Sequence, residues 1–285
     1  MSAAKFELGR RLFYDVRLSG NGTQSCGSCH QQRRAFTDGR ATAIGSTGEM
    51  HRLNTMTLSN VAYNAGYGWS GEIPSLEKQA RVPMFGSHPV ELGMKGRERE
   101  IVRRLAADPL YDRLFRAAFP GQRRPVRMKN TISAIATFER ALISGRSPYD
   151  RLVFDDDLRA LSESAMEGMK LFFSARSGCA TCHGGFNFSG PIRRAGAGRT
   201  KPLIVGNGIT GGSFRVPTLR NIELTAPYMH DGSIGSLPEV IDRYDEVRRL
   251  ALRPAEKASL IEFLESLTDE GLVTDQRFAD PWKEE

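Results

Sequence analysis

Cys26-Gly27-Ser28-Cys29-His30 sets two thiols three positions apart and follows the second with an imidazole. The run recurs as Cys179-Ala180-Thr181-Cys182-His183, and the two copies use all 4 cysteines of the chain. One match would carry little weight; two matches with no cysteine left over carry a great deal. A zinc site or a thiol redox pair accounts for the sulfurs but leaves the histidine after each second cysteine without a role. Thioether bonds to the two vinyl groups of a haem, with the adjacent histidine turned onto the iron, account for all three residues. The sequence therefore predicts two covalently bound c-type haems, one on Cys26, Cys29 and His30 and one on Cys179, Cys182 and His183.

The flanks of the motifs repeat as well. Gly9-Arg10-Arg11-Leu12-Phe13-Tyr14 precedes the first motif much as Glu167-Gly168-Met169-Lys170-Leu171-Phe172-Phe173 precedes the second, and Ala35-Phe36-Thr37-Asp38-Gly39 is echoed by Phe186-Asn187-Phe188-Ser189-Gly190. This is the pattern of a duplicated haem-binding helical unit. Phe6, Leu8, Leu12 and Phe13 stand near helical spacing over residues 3–14, and amphipathic helices are expected over 98–107 and 129–143, the second with Ile132, Ile135, Phe138 and Leu142 on one face. A closing helix is expected over 254–267, starting at Pro254. Residues 148–157, acidic and without periodicity, read as a linker, so the boundary falls near residue 155. That divides the chain into an N-terminal c-type haem domain, 1–155, and a C-terminal one, 156–285, whose polar tail with Trp282 packs back on the first. The glycine-rich stretch 193–212 has the look of a phosphate cradle but lacks a preceding strand and a following helix, and is expected to wrap the second haem.

At 285 residues and 40% hydrophobic content, the chain can build two modest cores. Its formal charge of +7 overstates the charge of a protein carrying anionic haem propionates, which arginines would neutralise, so the basic balance does not point to nucleic acid. Arg97, Arg99, Arg103 and Arg104, and then Arg123, Arg124 and Arg127, are expected on solvated helix faces and turns, with docking of an acidic protein as the alternative. No stretch is long and apolar enough to insert in a membrane, and Met-Ser-Ala-Ala-Lys has no signal-peptide core. Because haem is joined to this motif outside the bacterial cytoplasm, the N-terminus is read as processed or re-engineered and the location as periplasmic.

Function turns on the far side of each iron. A second protein ligand makes an electron-transfer haem, whereas an open position can bind peroxide. Beyond the two motifs only His51, His88 and His230 remain among histidines.

The two motifs at this separation, with Phe214-Arg215-Val216-Pro217-Thr218-Leu219-Arg220-Asn221, Leu224-Thr225-Ala226-Pro227-Tyr228-Met229-His230-Asp231-Gly232 and Leu237-Pro238-Glu239-Val240, resemble the bacterial dihaem cytochrome c peroxidase and MauG superfamily over nearly the whole chain. The resemblance implies a mainly α fold of two cytochrome c-like haem domains packed face to face, a peroxidatic N-terminal haem and a six-coordinate C-terminal haem that stores or relays electrons. It also implies several roles. Tyr244 stands where cytochrome c peroxidases carry a methionine ligand of the C-terminal haem and where MauG-like enzymes carry a tyrosine; the alternative is that Tyr244 is a packed aromatic and Met229 is the ligand. A hard phenolate oxygen favours ferric and higher states, whereas a soft thioether favours ferrous iron. Ser46 or Thr47 occupies the place of the histidine that blocks the N-terminal haem in many relatives, and His51 is closer to Asn54 than such a residue should be, so an open His30 haem is expected, the alternative being that a loop brings His51 in. Glu91 matches the distal glutamate and is the candidate acid–base, and Trp69 matches a tryptophan between the haems. Asn54, with the carbonyls of Thr225 and Pro227, matches an interdomain calcium site.

The expected activity is that of a periplasmic dihaem peroxidase of MauG or MbnH type. Hydrogen peroxide meets the His30 haem, two oxidising equivalents are shared by both haems through Trp69, and a side chain of a partner protein, a tryptophan in the favoured case, is oxidised. One alternative is a cytochrome c peroxidase that removes hydrogen peroxide using a small cytochrome or cupredoxin as donor. The other is a dihaem electron carrier with both irons closed.

Overall fold

The computed structural model describes residues 1–190, 193–194, 200–206 and 212–283. Its first long helix, Ala3–Tyr14, is capped by Ser2, whose hydroxyl accepts from the Lys5 amide at 3.3 Å, and it buries Leu8, Leu12 and Phe13. That face lies on the helix Met128–Glu139, which buries Ile132, Ile135 and Phe138. The helices approach until backbone touches backbone: a Cβ on Gly9 would stand 2.0 Å from the Ala134 carbonyl oxygen.

The second half repeats the device. Helix Glu163–Phe173, capped by Ser162 on the Ala165 amide at 3.0 Å, packs on Pro254–Glu265. Here Gly168 makes the close approach, with its missing Cβ 1.9 Å from the Ser259 carbonyl oxygen. One core gathers Leu8, Leu12, Phe13, Phe36, Phe115 and Phe138; another gathers Phe172, Phe188, Leu237, Leu260 and Phe263. Leu272 and Phe278, from the end of the chain, belong to the first core. Tyr14 donates to the Phe278 carbonyl at 2.8 Å and the Trp282 indole donates to the Arg11 carbonyl at 3.0 Å, so the tail lies against the N-terminal half. The fold is mainly helical, and among the described residues no helix is long and apolar enough to cross a membrane.

Two expectations need correction. Residues 148–157 are not a featureless linker, because Pro148–Phe154 is a helix with a Ser147/Asp150 capping box. Asp150 then receives both guanidinium arms of the buried Arg220, at 2.7 and 2.8 Å, which ties this segment to the second half. Seven residues are too short to display a periodicity, and the legible signal is the Ser-Pro start. The stretch 193–212 contains short strands: Arg193–Arg194 pairs with Thr200–Lys201, and Ile204–Gly206 with Ser213–Arg215, both antiparallel. Residues 195–199 and 207–211, on which the expected wrapping of the second haem falls, lie outside the described residues.

The halves also bond reciprocally. Asn60 and Asn221 both have left-handed backbones, φ 58° and 60°. Each donates its amide to the carbonyl of Leu142 or Leu267, and each side-chain oxygen accepts from an amide two residues further on, Ser144 or Asp269. Aligned on these asparagines, Asn54 corresponds to Arg215 and Trp69 to His230. Across the interface the Asn54 amide donates to the His230 carbonyl at 2.7 Å, and the Arg215 amide donates to the Trp69 carbonyl at 2.8 Å.

The helix crossing gives a direct test. Gly168→Ala should cost about 1–3 kcal/mol in denaturant unfolding, since the helices must part to admit a methyl group. Gly145→Ala, whose added Cβ would meet nothing within 4 Å, should stay within about 0.5 kcal/mol of the parent. Equal effects at the two sites would rule out the close approach as the cause.

Candidate functional site

The first motif is a single helical turn, Cys26–Cys29, steadied by a hydrogen bond from the Ser25 amide to the Ser28 hydroxyl at 3.0 Å. His30 follows, with Nδ1 at 2.8 Å from the Phe36 carbonyl oxygen. In the second copy, Cys179–His183, the His183 Nδ1 lies 3.0 Å from the Phe188 carbonyl. Phe36 and Phe188 both have positive φ, 64° and 48°, a conformation that costs free energy for an aromatic residue and turns its carbonyl onto the ring. Burial lowers the pKa of both histidines. Burial thus favours the neutral imidazole, against backbone hydrogen bonds to Phe36 and Met56 at His30 and to Phe188 and Pro217 at His183, and with Nδ1 donating the Nε2 lone pair would be the one to meet a metal.

Cys26, Cys29 and His30 open on a cavity of about 390 Å³, within the usual size of a cofactor site. Its distal wall is made by two loops fastened to one another. The Ser46 amide donates to the Glu91 carbonyl at 2.7 Å, and the Val90 amide donates to a Glu49 carboxylate oxygen at 2.9 Å. This brings His51 Nε2 to 3.8 Å from Glu91 Oε1, with both residues lining the cavity. Burial raises the Glu91 carboxyl, and His51 acts against that rise. Spacing along the chain sets His51 apart from the distal position; the folded loop brings it to the wall beside Glu91.

Two further groups on this wall are not among the residues singled out from sequence. Gln79 presents a buried Oε1 with no hydrogen-bond partner. Glu139 is 9% exposed and lies within Coulombic range of Cys26. Its position was legible: it falls on the apolar face of its helix, one turn after Ile135, where a carboxylate is out of place.

Trp69 lines both this cavity and a second, smaller one of about 80 Å³. Its indole donates to the Asn54 carbonyl at 2.9 Å and stands edge-on to Phe214 and to His230, with centroids at 6.0 and 6.4 Å. Asn54, Thr225, Pro227 and Met229 line the second cavity with it. The Asn54 amide group donates to the Arg40 and Ala41 carbonyls, which leaves its side-chain oxygen as the available donor to a cation. Tyr244 is on the helix Leu237–Arg248; burial raises its phenol, Cys182 adds to the rise, and Arg248 opposes it. Those couplings put Tyr244 beside the second motif, whereas Met229 is beside Trp69.

The donor set suits a haem at each motif: a neutral imidazole fixed through Nδ1, two unpaired cysteines, and at the first motif an apolar cavity carrying an unsatisfied amide oxygen. Among the described residues no three His, Cys, Asp or Glu side chains converge as a zinc site would require.

The family model for di-haem cytochrome c peroxidases matches residues 3–157. The methylamine utilization protein MauG of Methylorubrum extorquens is 33% identical over 95% of this chain and 80% of its own length. The cytochrome c551 peroxidase of Nitrosomonas europaea is 32% identical over 92% of this chain and 79% of its own. A crystal structure of a MauG-like protein associated with microbial copper homeostasis superimposes with a TM-score of 0.93 at 38% identity, covering 99% of this chain and 94% of the other.

Glu139 yields a pH prediction. Burial pushes its carboxyl up to about 8, with Arg140 acting against the shift and Glu77 with it. A raised folded-state pKa means that this group's stabilising contribution is full below the unfolded carboxyl range and is lost as pH rises through 8. Relative to Glu139→Gln, the parent should therefore lose up to about 1.4 kcal/mol per pH unit across that window. Urea unfolding of both proteins at pH 5 and 7.5 reads the difference, and parallel profiles would refute it.

Proposed function

Because the chain belongs to the di-haem cytochrome c peroxidase family, we propose that it is a MauG-like member which uses hydrogen peroxide to oxidise a side chain, a tryptophan in the favoured case, of a partner protein in the periplasm. It is an oxidoreductase of a di-haem peroxidase family. The observation that carries the finer reading is the position of Trp69 on the wall shared by both cavities, combined with Tyr244, rather than a methionine, beside the second motif. The likeness to MauG and to the MauG-like protein of copper homeostasis supports the same reading.

In this proposal Cys26 and Cys29, and Cys179 and Cys182, would hold two haems through thioethers, His30 and His183 would each ligate one iron, and Tyr244 would be a further ligand at the C-terminal one. When bound, the haems supply iron that can take two oxidising equivalents from peroxide. The chain's own groups do the rest. Glu91 Oε1, raised by burial and steadied by His51, takes a proton from peroxide and returns it to the departing oxygen. Two electrons and two protons convert each peroxide to two waters, the electrons coming from the partner. Trp69 offers an oxidisable ring between the two sites, so an electron need not cross that wall in one step. Asn54, Thr225 and Pro227, all neutral oxygen donors, would hold calcium with water completing its shell.

A peroxidase that draws electrons from a small cytochrome or cupredoxin is the competing reading, favoured by the similarity to the cytochrome c551 peroxidase. Two variants separate them. Trp69→Phe should leave the reaction with peroxide intact while partner oxidation falls by at least about tenfold, and Tyr244→Met should abolish partner oxidation. If both variants turned over a small-protein donor and the partner at parental rates, the competing reading would stand.

The distal pair makes its own prediction. Glu91→Gln should slow the stopped-flow reaction with peroxide by about 10²–10⁴-fold. In His51→Leu the carboxyl loses the neighbour that lowers its pKa, so the acid limb of the pH–rate profile should move to higher pH; a move to lower pH would contradict the pairing.

A further inference from the structure

Tyr244 lies between two fastenings of its helix. On one side Asp242 and Asp245 pair with Lys257 of the helix Pro254–Glu265, at 2.9 and 2.7 Å. On the other, Arg248, the last residue of the helix Leu237–Arg248, donates from Nη1 to the carbonyls of Ser177 and Gly178, each at 3.3 Å. Those two residues immediately precede Cys179. Ser177 is 1% exposed, and its hydroxyl donates to the Leu171 and Phe172 carbonyls at 2.6 and 3.2 Å, so the anchor is itself tied to the helix Glu163–Phe173. Gly178 has a left-handed backbone, φ 62°, and a Cβ there would stand 3.4 Å from Arg248 Nη1, so the guanidinium rests against the turn.

The charge of Arg248 reaches the ligand-bearing groups as well. Burial dominates the pKa shifts of Tyr244, Cys179 and His183, raising the first two and lowering the third, and Arg248 pulls all three downward. A cation in the last turn of a helix is favourable by itself, but that requires no contact with a neighbouring turn. Among the described residues Arg248 has no carboxylate partner, and both of its acceptors belong to the approach to the second motif.

The duplicated scaffold lacks this device in the other half. In the register set by Asn60 and Asn221, the helix caps Ser75 and Ser236 correspond, as do the buried Leu76 and Leu237. In the same register Tyr244 falls on Pro83, which lines the first cavity and has no side-chain donor atom, and Arg248 falls on Ser87. The half with the phenol has the arginine, and the half without the phenol has neither. We propose that Arg248 is a positioning residue for Tyr244, a strap that joins the helix carrying one ligand of the second haem to the turn carrying the other and so keeps the phenol on the iron.

The inference rests on Tyr244 as a haem ligand, which Tyr244→Phe tests separately. Low-temperature EPR of the ferric holoprotein counts its high-spin haems, and resonance Raman reads the bands of an iron-bound phenolate. Tyr244→Phe should add a high-spin haem and abolish those bands; if it does neither, the ligand reading fails and the strap with it. Arg248→Gln should then add a high-spin component from the second haem and weaken the phenolate bands, at unchanged haem stoichiometry. Arg243→Ala, which removes an exposed pair with Glu246 on the same helix, should look like the parent. A parental spectrum for Arg248→Gln, or the same change in Arg243→Ala, would overturn the proposal while leaving the ligand reading in place. Should Arg248→Gln fail to load two haems, Arg248→Lys decides, because its shorter side chain keeps the charge but reaches less far. Weakened phenolate bands there support the strap, and bands of full parental intensity overturn it.

Discussion

The wall between the two cavities hangs on two hydrogen bonds, from the Asn54 amide to the His230 carbonyl and from the Arg215 amide to the Trp69 carbonyl. They relate corresponding positions of the repeated segments, so each half supplies one donor and one acceptor. A backbone bond in a buried interface contributes about 1 kcal/mol net but is expensive to leave unmade. It therefore fixes register more than it adds stability. With register fixed, Asn54, Trp69 and Arg215 line both cavities.

Duplication explains how one backbone plan is built twice, and the departures from it explain why the halves do different work. Both halves cross a helix pair at a glycine, turn a phenylalanine carbonyl onto a histidine and pin an asparagine in the left-handed region. Those shared features answer one requirement, an imidazole held through Nδ1 by a carbonyl and kept from charging by burial. The differences lie where no such requirement holds: Trp69 against His230, Asn54 against Arg215, Gly68 against Met229.

Much of this was legible in the sequence. The four cysteines with their following histidines declared the cofactor, and the echo of Leu12-Phe13 in Leu171-Phe172 declared the repeat. The helix expected over residues 3–14 appears as Ala3–Tyr14, and that expected over 254–267 as Pro254–Glu265. What stayed hidden depended on the folding of loops. The approach of His51 to Glu91 follows from the Ser46 and Val90 amide bonds, which no spacing rule encodes. The helix Pro148–Phe154 is hidden because a two-turn element stabilised by its cap and by Arg220 has no periodic face to announce it.

The buried charges show a further order in the design. Arg220 and Asp150 neutralise one another within the second half and bind the chain between the halves to it, a pairing complete without a cofactor. Glu139 and Arg215 have no such partner: the carboxyl remains uncharged by shifting its pKa, while a guanidinium cannot lose its proton near neutrality. A polypeptide that leaves an arginine in this state is more costly to fold alone than with an anion in place. The Gln79 oxygen, buried without a hydrogen-bond partner, lines the first cavity together with Glu139 and Arg215, whereas the Asn187 amide nitrogen, also unsatisfied, lies away from it.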